Sequence, residues 1–335
     1  MNGPRDEPLP NFRPAPGLAN PHLQTLMGRA LRPDLRVPLR RERLETPDGD
    51  FLDIDFAGGA DEVDRDAPLV VVLHGLEGRT TRKYMRTTFQ ALLDRGIRPV
   101  GMNFRGCSGE PNRQARAYHS GETGDLRFVL ETLAARHDVP YGVMGYSLGG
   151  NVTLKFLGES GGAAAGLVAA GAAVSVPFDL DAGGRRLEGT FMGRNVYTRY
   201  FLGPLRRKML DKGDVVAERC DLEAIARART IREFDDAATA PIFGFDGAAD
   251  YYARSSSDQY LTGIRVPTLV VHARDDPFLP AASIPEPALR SNPAITALIT
   301  DRGGHLGFLA GSVLRPVSWV ETVVAEWLAR RLVAV

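Results

Sequence analysis

Gly145-Tyr146-Ser147-Leu148-Gly149 has the spacing G-x-S-x-G, in which a strand-to-helix turn holds a serine hydroxyl exposed above a sheet. A Cβ at either flanking glycine would crowd the opposite arm of that turn, and the serine between them sits in strained backbone. A serine hydroxyl is a weak nucleophile at neutral pH. It needs a base, and the base needs a carboxylate to orient it. With this turn, the acid and then the histidine follow the serine in chain order, each after a later strand. The run Val266–Val271 leads into His272-Ala273-Arg274-Asp275-Asp276-Pro277, and the run ending at Thr300 leads into Asp301-Arg302-Gly303-Gly304-His305. The expected set is Ser147 as nucleophile, His305 as base and Asp276 as orienting acid. Pro280, four residues on, favours Asp276, with Asp275 as the alternative acid and otherwise a hydrogen-bonding partner of the loop.

An oxyanion site needs backbone N–H donors aimed at the developing charge. The Leu148 amide, at a helix N-terminus, and the Leu76 amide, in His74-Gly75-Leu76-Glu77-Gly78, are the candidates. Of the six histidines only His305 occupies the base position. His22 falls in an N-terminal arm, His119 in a loop, His137 at a helix end, and His272 before the acid, where packing is its expected role. There is no P-loop, dinucleotide fingerprint or H-E-x-x-H cluster, so neither a metal nor another cofactor is expected.

The elements that must position these residues follow from hydrophobic period. Pro68–Leu73, Pro99–Phe104 and Tyr141–Gly145 are continuous apolar runs, the mark of strands covered on both faces. Helical patterns at about 83–95 and 122–136 alternate with them. Strands are also expected at 166–176, 266–271 and 295–300, with a closing helix carrying Val320, Val324, Trp327, Leu328 and Leu332 on one face. The alternation predicts an α/β fold with a mostly parallel central sheet and helices on both faces, binding ligands beyond the carboxyl ends of the strands. Ahead of it, Arg40–Thr46 and Phe51–Phe56 flank Pro47-Asp48-Gly49 as a hairpin of two edge-like strands. Residues 1–38 are expected to form a proline-punctuated arm, with a helix only at Pro21–Leu31. Residues 39–177 and 263–335 should form the core, and 178–262 a mainly helical cap insertion whose aromatics build its own small core.

Composition narrows the function. Lys plus Arg number 41 and Asp plus Glu 41, so no overall field favours nucleic acid or an anionic membrane. Cys107 and Cys220 make no disulfide framework, which suits a cytoplasmic setting. The first residues lack a signal-peptide pattern, and no apolar run is long enough for an integral membrane segment. Transient contact with lipid surfaces is the most that is expected.

Taken together, Asn20-Pro21-His22-Leu23-Gln24-Thr25-Leu26, His74–Gly78, Asn103-Phe104-Arg105-Gly106-Cys107-Ser108-Gly109, Gly145–Asn151, Asp275–Phe278 and Gly303-Gly304-His305 resemble the α/β-hydrolase fold. Within it they resemble the YheT-type branch related to plant embryogenesis-associated proteins, from about residue 12 onward. The resemblance implies a serine hydrolase of carboxylic esters with small-molecule acyl ester substrates, its eukaryotic relatives being linked to medium-chain acyl esters and phospholipids. An acyltransferase using the same acyl-enzyme, or a non-catalytic binding protein on the same scaffold, are the alternatives.

Overall fold

The computed structural model describes residues 9–59, 64 and 66–333. The first eight residues of the arm and the last two of the core therefore lie outside it. Eight strands form one sheet: β1 (Leu39–Glu45), β2 (Phe51–Ala57), β3 (Leu69–Leu73), β4 (Arg98–Met102), β5 (Tyr141–Tyr146), β6 (Ala170–Val174), β7 (Thr268–Ala273) and β8 (Ile295–Thr300). Their spatial order is β1-β2-β4-β3-β5-β6-β7-β8. The β1–β2 and β2–β4 pairs are antiparallel and every other pair is parallel. Strand order reverses between β3 and β5, so a crevice opens beyond their carboxyl ends. Both the His74–Gly78 loop and Ser147 lie there.

The continuous apolar strands are buried because helices cover both faces. Leu69, Val71 and Leu73 of β3 pack into one core with Leu126, Leu130 and Leu133 of α3 (Gly124–Ala134) and Phe156 of α4 (Leu148–Ser160). Val70 and Val72 face the other core, with Met85, Phe89 and Leu92 of α2 (Lys83–Leu93) and the C-terminal helix Trp319–Leu332. All five apolar residues expected on one face of that last helix are buried.

The hairpin departs from expectation in one respect. β1 is an edge strand, but β2 is interior, pairing β4 on its far side. Asp53 and Asp55 give β2 the look of an edge. They are in fact buried, with Arg43 and Arg41 of β1 each donating two hydrogen bonds to them at 2.8–3.0 Å. β6 is also shorter than its apolar run, because Gly161–Gly166 turn as a 3₁₀ helix before it. A short hairpin of Leu309–Gly311 and Pro316–Ser318 has no expectation behind it.

Between β6 and β7 the chain is a series of short helices, including α5 (Leu180–Gly189) and α6 (Thr198–Asp211). Ala248, Tyr251 and Tyr252, with Leu180 and Phe245 against them, form a small core within it, and the rest of its apolar residues pack elsewhere. Leu202, Leu205, Met209, Phe234 and Ile242 join the same cluster as β3, while Tyr197 packs with Phe278 and Leu279 after β7. Among the described residues no helix is long and apolar enough to cross a membrane.

The helix α1 (Pro21–Leu31) forms as expected, with Asn20 accepting from the His22 and Leu23 amides as its N-cap. Beyond it, Arg32 is buried and donates to Glu321 of the C-terminal helix at 2.7 Å and to the Gly28, Leu306 and Gly307 carbonyls at 2.6–3.0 Å. Removing one partner of a buried pair leaves an uncompensated charge, at a cost of about 3–5 kcal/mol. Arg32→Met should lose stability of that order in chemical denaturation, and Arg32→Met/Glu321→Met should recover part of it. A single variant as stable as the parent would contradict this account of how the arm is tied down.

Candidate active site

The turn at Ser147 is as tight as its glycines require. A Cβ at 145 would stand 2.1 Å from the Gly149 carbonyl oxygen, and one at 149 would stand 2.6 Å from the His74 carbonyl oxygen. Ser147 itself has φ 52° and ψ −118°, a conformation L residues rarely adopt. Its amide donates to the Val174 carbonyl at 2.8 Å, and its carbonyl accepts from Asn151 as α4 begins.

The structure brings Ser147, His305 and Asp276 together. His305 Nε2 lies 2.9 Å from Ser147 Oγ, and His305 Nδ1 lies 2.7 Å from Asp276 Oδ2. The acceptor-only carboxylate fixes the proton on Nδ1, leaving Nε2 free to accept from the serine hydroxyl. Asp276 is buried, and its other oxygen accepts from the Phe278 amide at 2.8 Å. Asp275 turns the other way. Its Oδ1 accepts from the Gly304 amide at 2.9 Å, and burial raises its carboxyl above the usual range. The two adjacent aspartates thus hold the histidine ring and the glycine before it separately.

The loop on the other side of Ser147 leaves one amide unused. The Gly75 amide donates to Tyr84 Oη at 3.0 Å, that of Glu77 to Tyr118 Oη at 2.9 Å, and that of Gly78 to the Gly75 carbonyl at 2.9 Å. Neither the Leu76 amide nor that of Leu148 has a partner among the described residues. His74 holds this loop to the end of β4. Its Nε2 accepts from the Phe104 amide at 3.2 Å while its Nδ1 donates to the Gly75 carbonyl at 2.7 Å. Burial pushes its imidazole down to about 3, so it stays neutral.

Several residues around the site carry no signal of this role in the sequence. Thr25 Oγ1 accepts from the His305 amide at 2.9 Å, and Gln24 exchanges two hydrogen bonds with the Leu309 backbone. α1 lies so close to the histidine loop that a Cβ at Gly307 would meet the Gln24 carbonyl oxygen at 2.7 Å. The motif Asn20–Leu26 marks the stretch in the sequence, but nothing in it assigns these contacts to Gln24 and Thr25. Phe278 stacks on the His305 ring at 4.2 Å. Lys208 of α6 donates to Glu77 at 2.7 Å and to Cys107 at 3.1 Å, tying the segment above the strand ends to the loop that carries Leu76. His22 Nδ1 and Tyr197 Oη are 2.7 Å apart, joining the arm to the same segment.

Other candidate residues serve structure. Arg105 is buried between Asp125, Asp48 and Asp50, anchoring the loop after β4. His119 packs edge-on against Phe243, Phe245 and Tyr251, away from Ser147. Among the described residues there is no group of three His, Cys, Asp or Glu placed to hold a metal. The cavity over Ser147 is about 440 Å³ and is shared by α1, the His74–Gly78 loop, α2, the segment around Tyr197 and the His305 loop.

His272 is buried beside Phe178, with neither ring nitrogen hydrogen-bonded among the described residues, and burial pushes its imidazole down to about 4. A depressed folded-state value contributes stability that is full above the unfolded value near 6.5 and is lost as pH falls toward 4. His272→Leu should therefore lose about 1.4 kcal/mol less per pH unit than the parent across that window in denaturant titrations. Parallel slopes for the two proteins would refute this assignment.

A family model described as alpha/beta hydrolase fold matches residues 68–312. The chain is 39% identical over 329 residues to a protein of Escherichia coli (strain K12) named "Putative esterase YheT", covering 96% of this chain and 94% of that one. It is 29% identical over 310 residues to a Mus musculus protein named "Phospholipase ABHD3", covering 91% of this chain and 75% of that one. Among solved structures, the Pyrococcus furiosus esterase Pf2001 superposes with a TM-score of 0.59 at 17% identity, covering 96% of this chain and 100% of the other, a likeness of fold.

Proposed function

The chain belongs to the α/β hydrolase family, and from that membership we propose that it is a serine hydrolase of carboxylic esters. The observation that carries the reading is the continuous hydrogen-bonded series Asp276–His305–Ser147, at 2.7 and 2.9 Å, on the floor of a cavity. The relatives named as an esterase and a phospholipase support the same class of chemistry.

In the proposed reaction Ser147 Oγ attacks the acyl carbon while His305 Nε2 takes its proton and Asp276 stabilises the imidazolium. The Leu76 and Leu148 amides, both unpaired, hold the oxyanion. The acyl C–O bond then breaks, and the alcohol leaves with the proton from His305. Water, deprotonated by His305, attacks the acyl-enzyme and releases the carboxylic acid, returning Ser147 its proton. Residues 178–262 serve as the cap, and the apolar cavity wall at Leu26, Val196 and Phe201 suits a short-to-medium acyl chain or a lipid-like ester. The two free cysteines suit a cytoplasmic setting.

Turnover of p-nitrophenyl esters of increasing acyl length, together with fluorophosphonate labelling, tests the reading. Ser147→Ala should lose labelling and about 10⁶ in turnover. Asp276→Asn should lose about 10⁴, by leaving His305 in the wrong tautomer. Asp275→Asn, which touches only the loop backbone, should lose far less. Near-normal turnover in Ser147→Ala would sink the assignment, and equal losses in the two aspartate variants would sink the division of roles between them.

A further inference from the structure

Resting on the ester-hydrolase reading, we propose that the substrate carries an anionic group, phosphate or carboxylate, on its alcohol side, held at the cavity mouth by Arg29, Arg79, Arg82 and Lys83. These four cations line the same cavity as Ser147 and His305. None has a carboxylate partner among the described residues. Arg82 donates to the Glu77 carbonyl at 3.3 Å and Lys83 to the Ala30 carbonyl at 3.1 Å. The Arg29 guanidinium lies 4.8 Å from the Tyr200 ring centroid, and the exposed Arg79 side chain has no hydrogen bond among the described residues.

The charges that would offset them are already engaged. Glu77 is the sole carboxylate in the lining, and its Oε1 accepts from Lys208 and from Tyr118, each at 2.7 Å. The fifth cation, Arg32, is neutralised by Glu321. Elsewhere, some exposed arginines pair, as Arg41 with Asp55, Arg113 with Glu45 and Arg254 with Asp250, while others such as Arg199 and Arg302 have no carboxylate partner among the described residues; what sets the four apart is that they converge on one cavity. In a chain with 41 basic and 41 acidic residues, four unneutralised cations around one cavity make a local positive field.

The two kinds of lining suit the two parts of such an ester. Leu26, Val196 and Phe201 offer an apolar wall with no charge to bind, so the acyl chain belongs there. The cations on α1 and after the His74–Gly78 loop then face the alcohol end. Low-dielectric walls strengthen the attraction of a fixed cation for an anion. That attraction is already present in the bound ester and does not grow as the carbonyl is attacked. It therefore appears in KM more than in kcat.

The test compares three octanoyl esters below their micelle concentrations: octanoyl glycerol phosphate, octanoyl lactate and uncharged mono-octanoylglycerol. At about 20 mM salt one anionic ester should exceed the uncharged one in kcat/KM by about tenfold, through KM, and the margin should shrink at about 200 mM. The ratio should fall about threefold in Arg79→Gln and further in Arg29→Gln/Arg79→Gln. Phosphate ahead of lactate identifies a phosphate group, and the reverse identifies a carboxylate. Equal kcat/KM for all three esters, or a ratio unchanged in the double variant, would overturn the inference while leaving ester hydrolysis standing. If no ester turns over and fluorophosphonate fails to label Ser147, ester hydrolysis is the reading that fails. The anion site is then decided by calorimetry on Ser147→Ala: octyl phosphate binding about tenfold tighter than octyl glucoside supports it, and equal binding overturns it.

Discussion

Hydrogen-bond reach from His305 to both Ser147 and Asp276 is the geometry on which the rest of the site depends, and it is set on a loop with little rigidity of its own. Two glycines precede the histidine, and Leu306 and Phe308 after it have φ of 55° and 43°. Such backbone persists only where its surroundings over-determine it. Asp275 takes the Gly304 amide, Thr25 the His305 amide and Ser175 the Leu306 amide, while Arg32 caps the Leu306 and Gly307 carbonyls. Four side chains from three segments far apart in sequence thus fix five backbone groups on four consecutive residues. The same buried guanidinium ties this arrangement to the C-terminal helix, and so to the core beneath the sheet.

Strain recurs at the neighbouring strand ends. Among the described residues five non-glycine positions have positive φ: Glu77, Ser147, Ser175, Leu306 and Phe308. All lie on connections leaving the carboxyl ends of β3, β5, β6 and β8. Each such position costs on the order of 1–3 kcal/mol. The stabilisation that offsets them comes from below, where strands such as β3 and β5 are buried along their whole length between two layers of helices. Rigid strands supply the fixed points, and the strained turns aim side chains and amides from those points into the crevice.

The sheet is legible in the sequence wherever burial is two-sided, because a short continuous apolar run bounded by turn residues suits a strand covered on both faces. It is less legible where burial depends on ion pairs. Asp53 and Asp55 look like solvent-facing residues until Arg41 and Arg43 are placed beside them, and only the pairing register does that. Ser147, Asp276 and His305 stand out because chain order and strand ends restrict the choice. The contributions of Thr25, Gln24, Arg32 and Lys208 are not legible. They are ordinary residues whose roles arise from contacts spanning 101 to 289 positions along the chain. The helical segment after β6 is the hardest to read, because its apolar residues divide among the main core, a small cluster around Tyr251 and Tyr252, and the cavity wall.

The layout separates Ser147, Asp276 and His305 from the side chains that wall the cavity above them. Ser147, Asp276 and His305 hang from strand ends, and the unpaired Leu76 and Leu148 amides from the turns beside them. The cavity above is walled by α1, the start of α2 and the Tyr197–Phe201 region. Those walls are linked to one another, His22 to Tyr197 and Arg29 to Tyr200, and linked to the reacting groups through Phe278, which touches both Tyr197 and His305. A change of shape in the wall therefore reaches the histidine ring by direct stacking. A change of charge at Arg79 does not, because that side chain makes no hydrogen bond to the loop it stands on. In this architecture the apolar wall is mechanically coupled to His305, whereas the charge at Arg79 is free to vary without disturbing it.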